Sequence, residues 1–352
     1  MKVNWKLQDT IFTKDKGKVF SCFACGGGST MGYKLAGYDV IGCNEIDKKL
    51  MAMYIKNHAP KYSFLEPIQK FKDRDDLPSE LYNLDILDGS PPCSTFSMAG
   101  QRERNWGKAK KFREGQEEQV LDTLFFDFIE LAKKLQPKVV VAENVRGLLL
   151  GNAKKYMQRI HEEFDKAGYY CQYFLLDAAK MDVPQHRRRV FFICLRKDLA
   201  SQFLADVDFF TKIPKIEMAF TGREIAFKEI EDTGNFEYPL YPSYKECWEQ
   251  RKWGERDLSN AALRATGVYK FFTTNYAYRF GCIKTITTNV TANVSFHEPR
   301  FLNSVEVIRA STFPQDYNFC GNNVHYVCGM SIPPYMMYHI AKNIYNQWLS
   351  KL

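Results

Sequence analysis

The stretch KVFSCFACGGGSTMGYKLAG, residues 18–37, reads as a buried strand, a glycine turn and a helix from about residue 29 to 36. Glycines at such a turn let the backbone come close to a ligand and open a helix whose N-terminus favours anionic groups. A second strand follows, YDVIGCNE at 38–45. It ends on Glu45, about twenty residues after the turn, where a carboxylate can hold ribose hydroxyls. A glycine turn alone serves many α/β domains structurally; with Glu45 it points to a nucleoside cofactor. NAD and S-adenosylmethionine both stay open on these residues.

Outward from this unit, short apolar runs alternate with longer amphipathic ones. DKKLMAMYIKNH (47–58) reads as a helix, LDILD (84–88) as a strand, and 117–135 as a strongly periodic helix. PKVVVAENV (137–145) reads as a buried strand and 154–166 as another helix. Alternating elements with continuously apolar strands predict an α/β fold with a parallel, doubly wound, Rossmann-like sheet. YYCQYFLLD (169–177) and RRVFFICLR (188–196) predict an antiparallel pair joined through VPQHRR. From 197 to about 282 the rhythm gives way to aromatic, basic and turn residues, which predicts a smaller, irregular, β-rich domain. A last helix spans 333–349, opened by Pro333-Pro334. The expected division is 1–196 with 322–352 as the cofactor-binding domain and 197–321 as the small one.

At 352 residues the chain suits two domains of unequal size. It has no apolar run of about 18 residues that could cross a membrane, and its charged N-terminus lacks an apolar signal core, so the expected location is the cytoplasm. Ten cysteines in such a chain make no disulfide scaffold. Cys22-x-x-Cys25 has no second CxxC to complete a four-ligand set, so no metal is expected. The net charge of +8 suits a polyanionic partner. It is concentrated after residue 100, where Arg102, Arg104, Lys108, Lys110, Lys111 and Arg113 oppose Glu103 alone. Such a run is either a solvated loop or a phosphate-gripping lid.

That basic run follows GSPPCSTFS (89–97). Two prolines fix the backbone ahead of Cys93 and aim its side chain from the end of a strand. Buried and inert is one reading of such a thiol. Glu143, in ENV at the end of another buried strand, is the second candidate, because a carboxylate there is costly to bury without a partner or a task. Gln185-His186-Arg187-Arg188-Arg189 supplies arginines suited to phosphate or a pyrimidine carbonyl. Together, thiol, carboxyl and nucleoside cofactor suggest one reaction. Cytosine C5 is a poor nucleophile until a thiolate adds to C6, and a carboxylic acid at N3 makes that addition feasible.

FACGGGSTMGYKLAG, GSPPCSTFSMAG, AENV, QHRRR and RFLNSVEVIRASTFPQDY, in this order, resemble the motifs of the cytosine-C5 DNA methyltransferases of prokaryotic restriction-modification type. The likeness runs from about 19 to 196 and from 285 to 352, roughly three-quarters of the chain. It implies S-adenosylmethionine as cofactor and a flipped-out cytosine in a short duplex site as substrate. Cys93 would be the nucleophile, Glu143 the group at N3, Arg189 the ligand of O2, and Arg187 a support for that loop. Phe23, Gly26, Gly28, Glu45, Ile46, Ile68, Pro91, Leu124 and Ser331 would surround the cofactor. The basic run would close over DNA, and 197–321 would select the sequence. The implied setting is a monomer on DNA in the nucleoid, with a separate cognate restriction endonuclease. Thr95-Phe96-Ser97 resembles the DNA enzymes rather than the tRNA branch. The chain departs from the pattern at Cys25, where a glycine is usual, at Pro67, beside Glu66 in place of the adenine-contacting acid, and at Met330, where Gly-Asn-Ser-Val-Pro has become Gly329-Met330-Ser331-Ile332-Pro333.

Overall fold

Val19, Phe20, Ser21 and Cys22 are all buried, the mark of a strand covered on both faces. The computed structural model describes residues 3–92, 123–150, 153–208, 211–270 and 272–352. Cys93 and the basic residues Arg102, Arg104, Lys108, Lys110, Lys111 and Arg113 lie outside them. Two compact units divide the chain. One holds Phe12–Leu176, Arg188–Ala219 and Met337–Leu352; the other holds Met1–Ile11, Asp177–Arg187 and Phe220–Met336.

The first unit carries β1 (Lys18–Cys22), α1 (Gly28–Leu35), β2 (Asp39–Glu45), α2 (Lys48–His58), β3 (Tyr62–Leu65), α3 (Ile68–Asp73), β4 (Ile86–Gly89), α4 (Leu124–Leu135), β5 (Val139–Val145), α5 (Lys154–Lys166) and β6 (Tyr169–Asp177). After β7 (Gln185–His186), β8 (Arg188–Arg196) returns to the sheet. The seven strands lie in the order β3-β2-β1-β4-β5-β8-β6. β1 to β5 run parallel and β8 runs antiparallel to β5. The chain winds one way from β1 to β3 and the other from β4 to β5, so the switch point falls between β1 and β4. Open α/β sheets bind their ligands at such a point, outside the carboxyl ends of the strands.

Helix α4 shows why these segments close into one core. Leu124, Phe125, Phe128, Ile129, Leu131, Ala132 and Leu135 recur at helical spacing and are all buried. They join Phe20, Phe71, Phe164, Tyr169 and Phe192 in one apolar cluster, with Phe20 and Phe71 stacked at 5.4 Å. Each such ring removed from water contributes roughly 1.5–3 kcal/mol. The C-terminal segment is fastened to this unit as well. The Tyr38 hydroxyl donates to the Ala341 carbonyl at 3.1 Å, and the Trp348 indole N–H donates to the Lys215 carbonyl at 2.9 Å.

In the second unit the strands are short. β9 (Asn275–Ala277) pairs in parallel with β11 (Asn293–Ser295), and β10 (Ile283–Lys284) with β7. Helices α6 (Pro242–Glu249) and α7 (Ser259–Thr266) pack on each other over Trp248, Leu258, Tyr276 and Phe301. The irregularity expected from the sequence is present, and among the described residues its β structure consists of these small pairings and three isolated bridges. Aromatic side chains, rather than strand ladders, fill the core. Arg300 makes two 2.8 Å bonds to the Glu306 carboxylate with both side chains fully buried, which fixes the entry to α8 (Ser304–Ala310).

Gly89 ends β4 where a Cβ would meet the Phe128 ring at 2.5 Å. Gly89→Ala should lower stability by about 1–3 kcal/mol, as overpacking does. Urea unfolding should show a lower midpoint at unchanged slope; an unchanged midpoint would mean that Phe128 yields freely.

Candidate active site

Strand register puts the site together. Cys22 of β1 lies opposite Gly89 of β4, and Gly89 lies opposite Ala142 of β5. The turn after β1, the turn after β4 and the end of β5 therefore leave the sheet at one edge. Phe23, Cys25 and Gly27 all take left-handed backbone, with φ of 54°, 46° and 65°. At Gly27 nothing larger fits, since a Cβ would meet His58 Nε2 at 2.2 Å. Cys25 accepts a conformation that costs a non-glycine residue about 1–2 kcal/mol. Its N–H donates to Glu45 Oε2 at 2.8 Å, which holds the turn against the end of β2.

Glu45 Oε1 accepts from the N–H groups of Ile46 and Asp47, both at 2.9 Å. Burial raises the Glu45 pKa, and the three backbone donors oppose that shift. Oxygen lone pairs remain for hydroxyl donors of a ligand. Phe23 is half-buried and tilts against Phe128 at 6.4 Å. Gly26 and Gly28 are buried in the turn, Leu124 is buried at the start of α4, and Ile68 is buried at the start of α3 behind Pro67. The Glu66 carboxylate pairs with Arg74 at 3.1 Å, while its carbonyl accepts from Asn44. Bare backbone, an aromatic face and a buried carboxylate suit a nucleoside.

Beside this turn, Pro91 meets Asn144 of the ENV segment. Asn144 Nδ2 donates to the carbonyl of Pro91, two residues before Cys93, at 3.1 Å, and Asn144 Oδ1 accepts from the Val145 N–H at 2.8 Å. The neighbouring Glu143 pairs with Arg189, Nε to Oε1 2.9 Å, and both side chains keep only a small exposure. Pairing of Val145 with Arg189 in the antiparallel β5–β8 ladder brings them together. Burial pulls the Arg189 pKa below its ordinary value, and Glu143 opposes the shift. Arg189 also donates to the Arg188 carbonyl at 2.9 Å.

Arg187 and Ser331 belong to the second unit. The Arg187 guanidinium donates to the carbonyls of Ile286 and Gly329 at 3.0 and 2.9 Å, and Ser331 follows α9 (Val324–Met330) with its N–H on the Val327 carbonyl. Met330 is 40% exposed. The sequence reading missed two residues, Asn144 and Asp88. Asp88 is an acid inside an apolar strand, and that alone was a signal. Among the described residues no cluster of His, Cys, Asp and Glu could hold a metal ion, and no helix is long and apolar enough to cross a membrane.

The model of the C-5 cytosine-specific DNA methylase family matches residues 17–346. Type II methyltransferase M.NgoPII of Neisseria gonorrhoeae is 29% identical over 93% of this chain and 95% of its own length. Type II methyltransferase M.DdeI of Desulfomicrobium norvegicum is 31% identical over 70% of this chain and 58% of its own. Two solved structures share the fold. A mutant of Dnmt2 from Spodoptera frugiperda has a TM-score of 0.62 at 17% identity, covering 93% of this chain and 99% of that one. Dnmt2 methyltransferase of S. pombe has a TM-score of 0.56 at 15% identity, covering 93% and 98%. With a family match over nearly the whole chain, and Pro91 joined to Asn144 of the ENV segment at the carboxyl edge of a methyltransferase sheet, the chain belongs to the C-5 cytosine-specific DNA methylases and is a DNA cytosine-5 methyltransferase.

Proposed function

We propose that this enzyme draws its methyl group from S-adenosylmethionine and attacks a flipped-out cytosine with Cys93, while Glu143 and Arg189 hold the base. The bond from Asn144 to the Pro91 carbonyl carries this reading, because it ties the segment that leads to Cys93 to the neighbour of Glu143. Phe23 would lie against the adenine and Glu45 would take the ribose, with Gly26, Gly28, Ile46, Ile68, Pro91 and Leu124 around them. The bare glycine turn, where a Cβ on Gly27 has no room, and the buried Glu45 carboxylate fit such a ligand. By the family likeness, Ser331 would support the cofactor and Arg187 its own loop. When bound, S-adenosylmethionine supplies a methyl group activated by its sulfonium.

The chain's own residues do the rest. A thiol of ordinary pKa near 8.5 is only a few per cent thiolate at neutral pH, so Cys93 gains from local activation. Its thiolate adds to C6 and forms a C–S bond. Glu143, oriented by the 2.9 Å bond to Arg189, supplies the proton or hydrogen bond at N3 that draws electrons toward the ring nitrogen. C5 is then nucleophilic. After methyl transfer, the C5 proton passes to solvent water, its electron pair restores the C5–C6 double bond, and the C6–S bond breaks to release the Cys93 thiolate. The Arg189 guanidinium, fixed by Glu143, would meet the pyrimidine O2.

A stacked cytosine must leave the duplex to reach this edge, at a cost of a few kcal/mol. Arg102, Arg104, Lys108, Lys110, Lys111 and Arg113 would grip phosphates as the loop closes, which offsets that cost and makes binding steeply salt-dependent. Target selection falls to the irregular region within 197–321, through base-edge contacts. The relatives named above are Type II methyltransferases, which supports a role as the modification half of a restriction-modification pair, with a separate endonuclease. Action on genomic DNA as a monomer would put the enzyme at the nucleoid.

Cys93→Ala should bind S-adenosylmethionine as wild type does but transfer no methyl group above background. On a duplex carrying 5-fluorocytosine at the target, wild type should form a denaturant-stable adduct and Cys93→Ala none. An adduct with the variant would contradict the nucleophile assignment. Glu143→Gln should slow transfer by about 10²–10⁴-fold with cofactor affinity kept. A loss below about tenfold would remove Glu143 from the reaction.

A further inference from the structure

Asp88, next to last in β4, is 2% exposed. Its Oδ2 accepts from Ser21 Oγ at 2.8 Å and Ser29 Oγ at 2.7 Å, and its Oδ1 accepts from the Tyr33 hydroxyl at 3.2 Å. Ser21 lies on β1 two residues before Phe23. Ser29 and Tyr33 lie on α1, which the glycine turn opens. One carboxylate therefore pins both sides of the proposed cofactor turn to the strand that leads to Cys93. Among the described residues it has no ion-pair partner. The titratable groups that face it are Cys22 on β1, Tyr33 on α1 and Glu143 on β5, and Glu143 is countered by Arg189.

Three hydroxyl donors satisfy hydrogen bonding but do not neutralise a charge. An unpaired buried carboxylate is costly to folding. Burial pushes the Asp88 pKa up to about 6, with the hydroxyls opposing and Glu143 adding to the rise. The group is still ionised at neutral pH. A charge kept at such cost beside a ligand turn marks a functional position.

We infer that Asp88 is a positioning residue whose buried negative charge favours the cationic methyl donor over its neutral product. The inference rests on S-adenosylmethionine as donor. In the transfer, the S–CH₃ bond breaks and the C5–CH₃ bond forms; the electron pair stays on sulfur, which changes from a sulfonium to an uncharged thioether. Ammonium, carboxylate and ribose are common to donor and product, so the sulfonium charge alone separates them. A fixed carboxylate in a poorly solvated edge attracts that charge before transfer and has nothing to attract afterwards. Across roughly 10 Å, at an effective dielectric of about 20, this is worth on the order of tenfold in affinity. Asp88 thus promotes exchange of product for fresh donor.

As pH falls through about 6, Asp88 takes up a proton and donor affinity drops, while product affinity changes less. Glu45, also raised by burial, is present in wild type and in Asp88→Asn alike, so the pH dependence that the substitution removes belongs to Asp88. Because the Asp88 pKa is raised above its unfolded value, its titration favours folding most at low pH, and that contribution is lost as pH rises through about 6. Asp88→Asn should therefore melt no lower than wild type at pH 7.5, a result that a purely structural role would not give.

The test is calorimetric titration of the full chain with S-adenosylmethionine and with S-adenosylhomocysteine at pH 7.5 and 5.5. The ratio of donor to product affinity of wild type should fall about threefold from pH 7.5 to pH 5.5, since a group of pKa about 6 is only partly protonated there. Asp88→Asn should show the reduced preference at both values. A wild-type ratio unchanged between the two pH values would overturn the inference without any variant, as would a ratio unaltered by Asp88→Asn. Binding of neither ligand by wild type would overturn the donor assignment itself, and this inference with it.

Discussion

The ion pair between Glu143 and Arg189 depends on β8 running against β5. Arg189 stands at the beginning of its strand and Glu143 near the end of its own. Only an antiparallel ladder, in which Val145 meets Arg189, brings those two ends to the same edge. A parallel β8 would have carried the arginine to the opposite edge and left a partly buried carboxylate alone. Such a pair adds little net stability, yet removal of one partner typically costs 3–5 kcal/mol once the other is stranded. The reversal at the end of the sheet and the acid at the end of β5 therefore require each other, and the chemistry is built where they meet.

Three carboxylates converge on this edge: Glu45 from β2, Asp88 from β4 and Glu143 from β5. Backbone N–H groups satisfy the first, hydroxyls the second and a guanidinium the third. Each is held in a different way, and each suits a different part of the reaction. Burial raises the pKa of Glu45 and Asp88, so the sheet edge carries electrostatic strain in the absence of a cation. Stability is traded for a field that a positively charged donor relieves. The left-handed backbone at Phe23 and Cys25 is a second such cost, placed in the same turn.

Much of this was legible in the sequence, for identifiable reasons. Strands buried on both faces write continuous apolar runs, and α4 writes its helical stripe, so the alternation of the sheet unit could be read directly. Glycine, proline, cysteine and glutamate at strand ends announced the site because each is expensive or unusual there. The bonds of Asp88 were hidden because they join residues 67, 59 and 55 positions apart, and hydroxyl residues carry no periodic signal. The left-handed backbone at Cys25 was hidden because a side chain usually argues against it. In the second unit, Trp248, Tyr276 and Phe301 pack without a repeating pattern, so α6 and α7 could not be separated from loops. The Asn303–Glu306 capping box, by contrast, is local and was open to reading.

Bisulfite sequencing of unmethylated duplex DNA, after incubation with the protein and S-adenosylmethionine, tests the central claim most directly. Protection of cytosines in one short recurring context is the expected result, and it would give the recognition sequence as well. Full conversion of every cytosine by a protein that binds the cofactor would contradict methylation of duplex DNA at C5 by this enzyme.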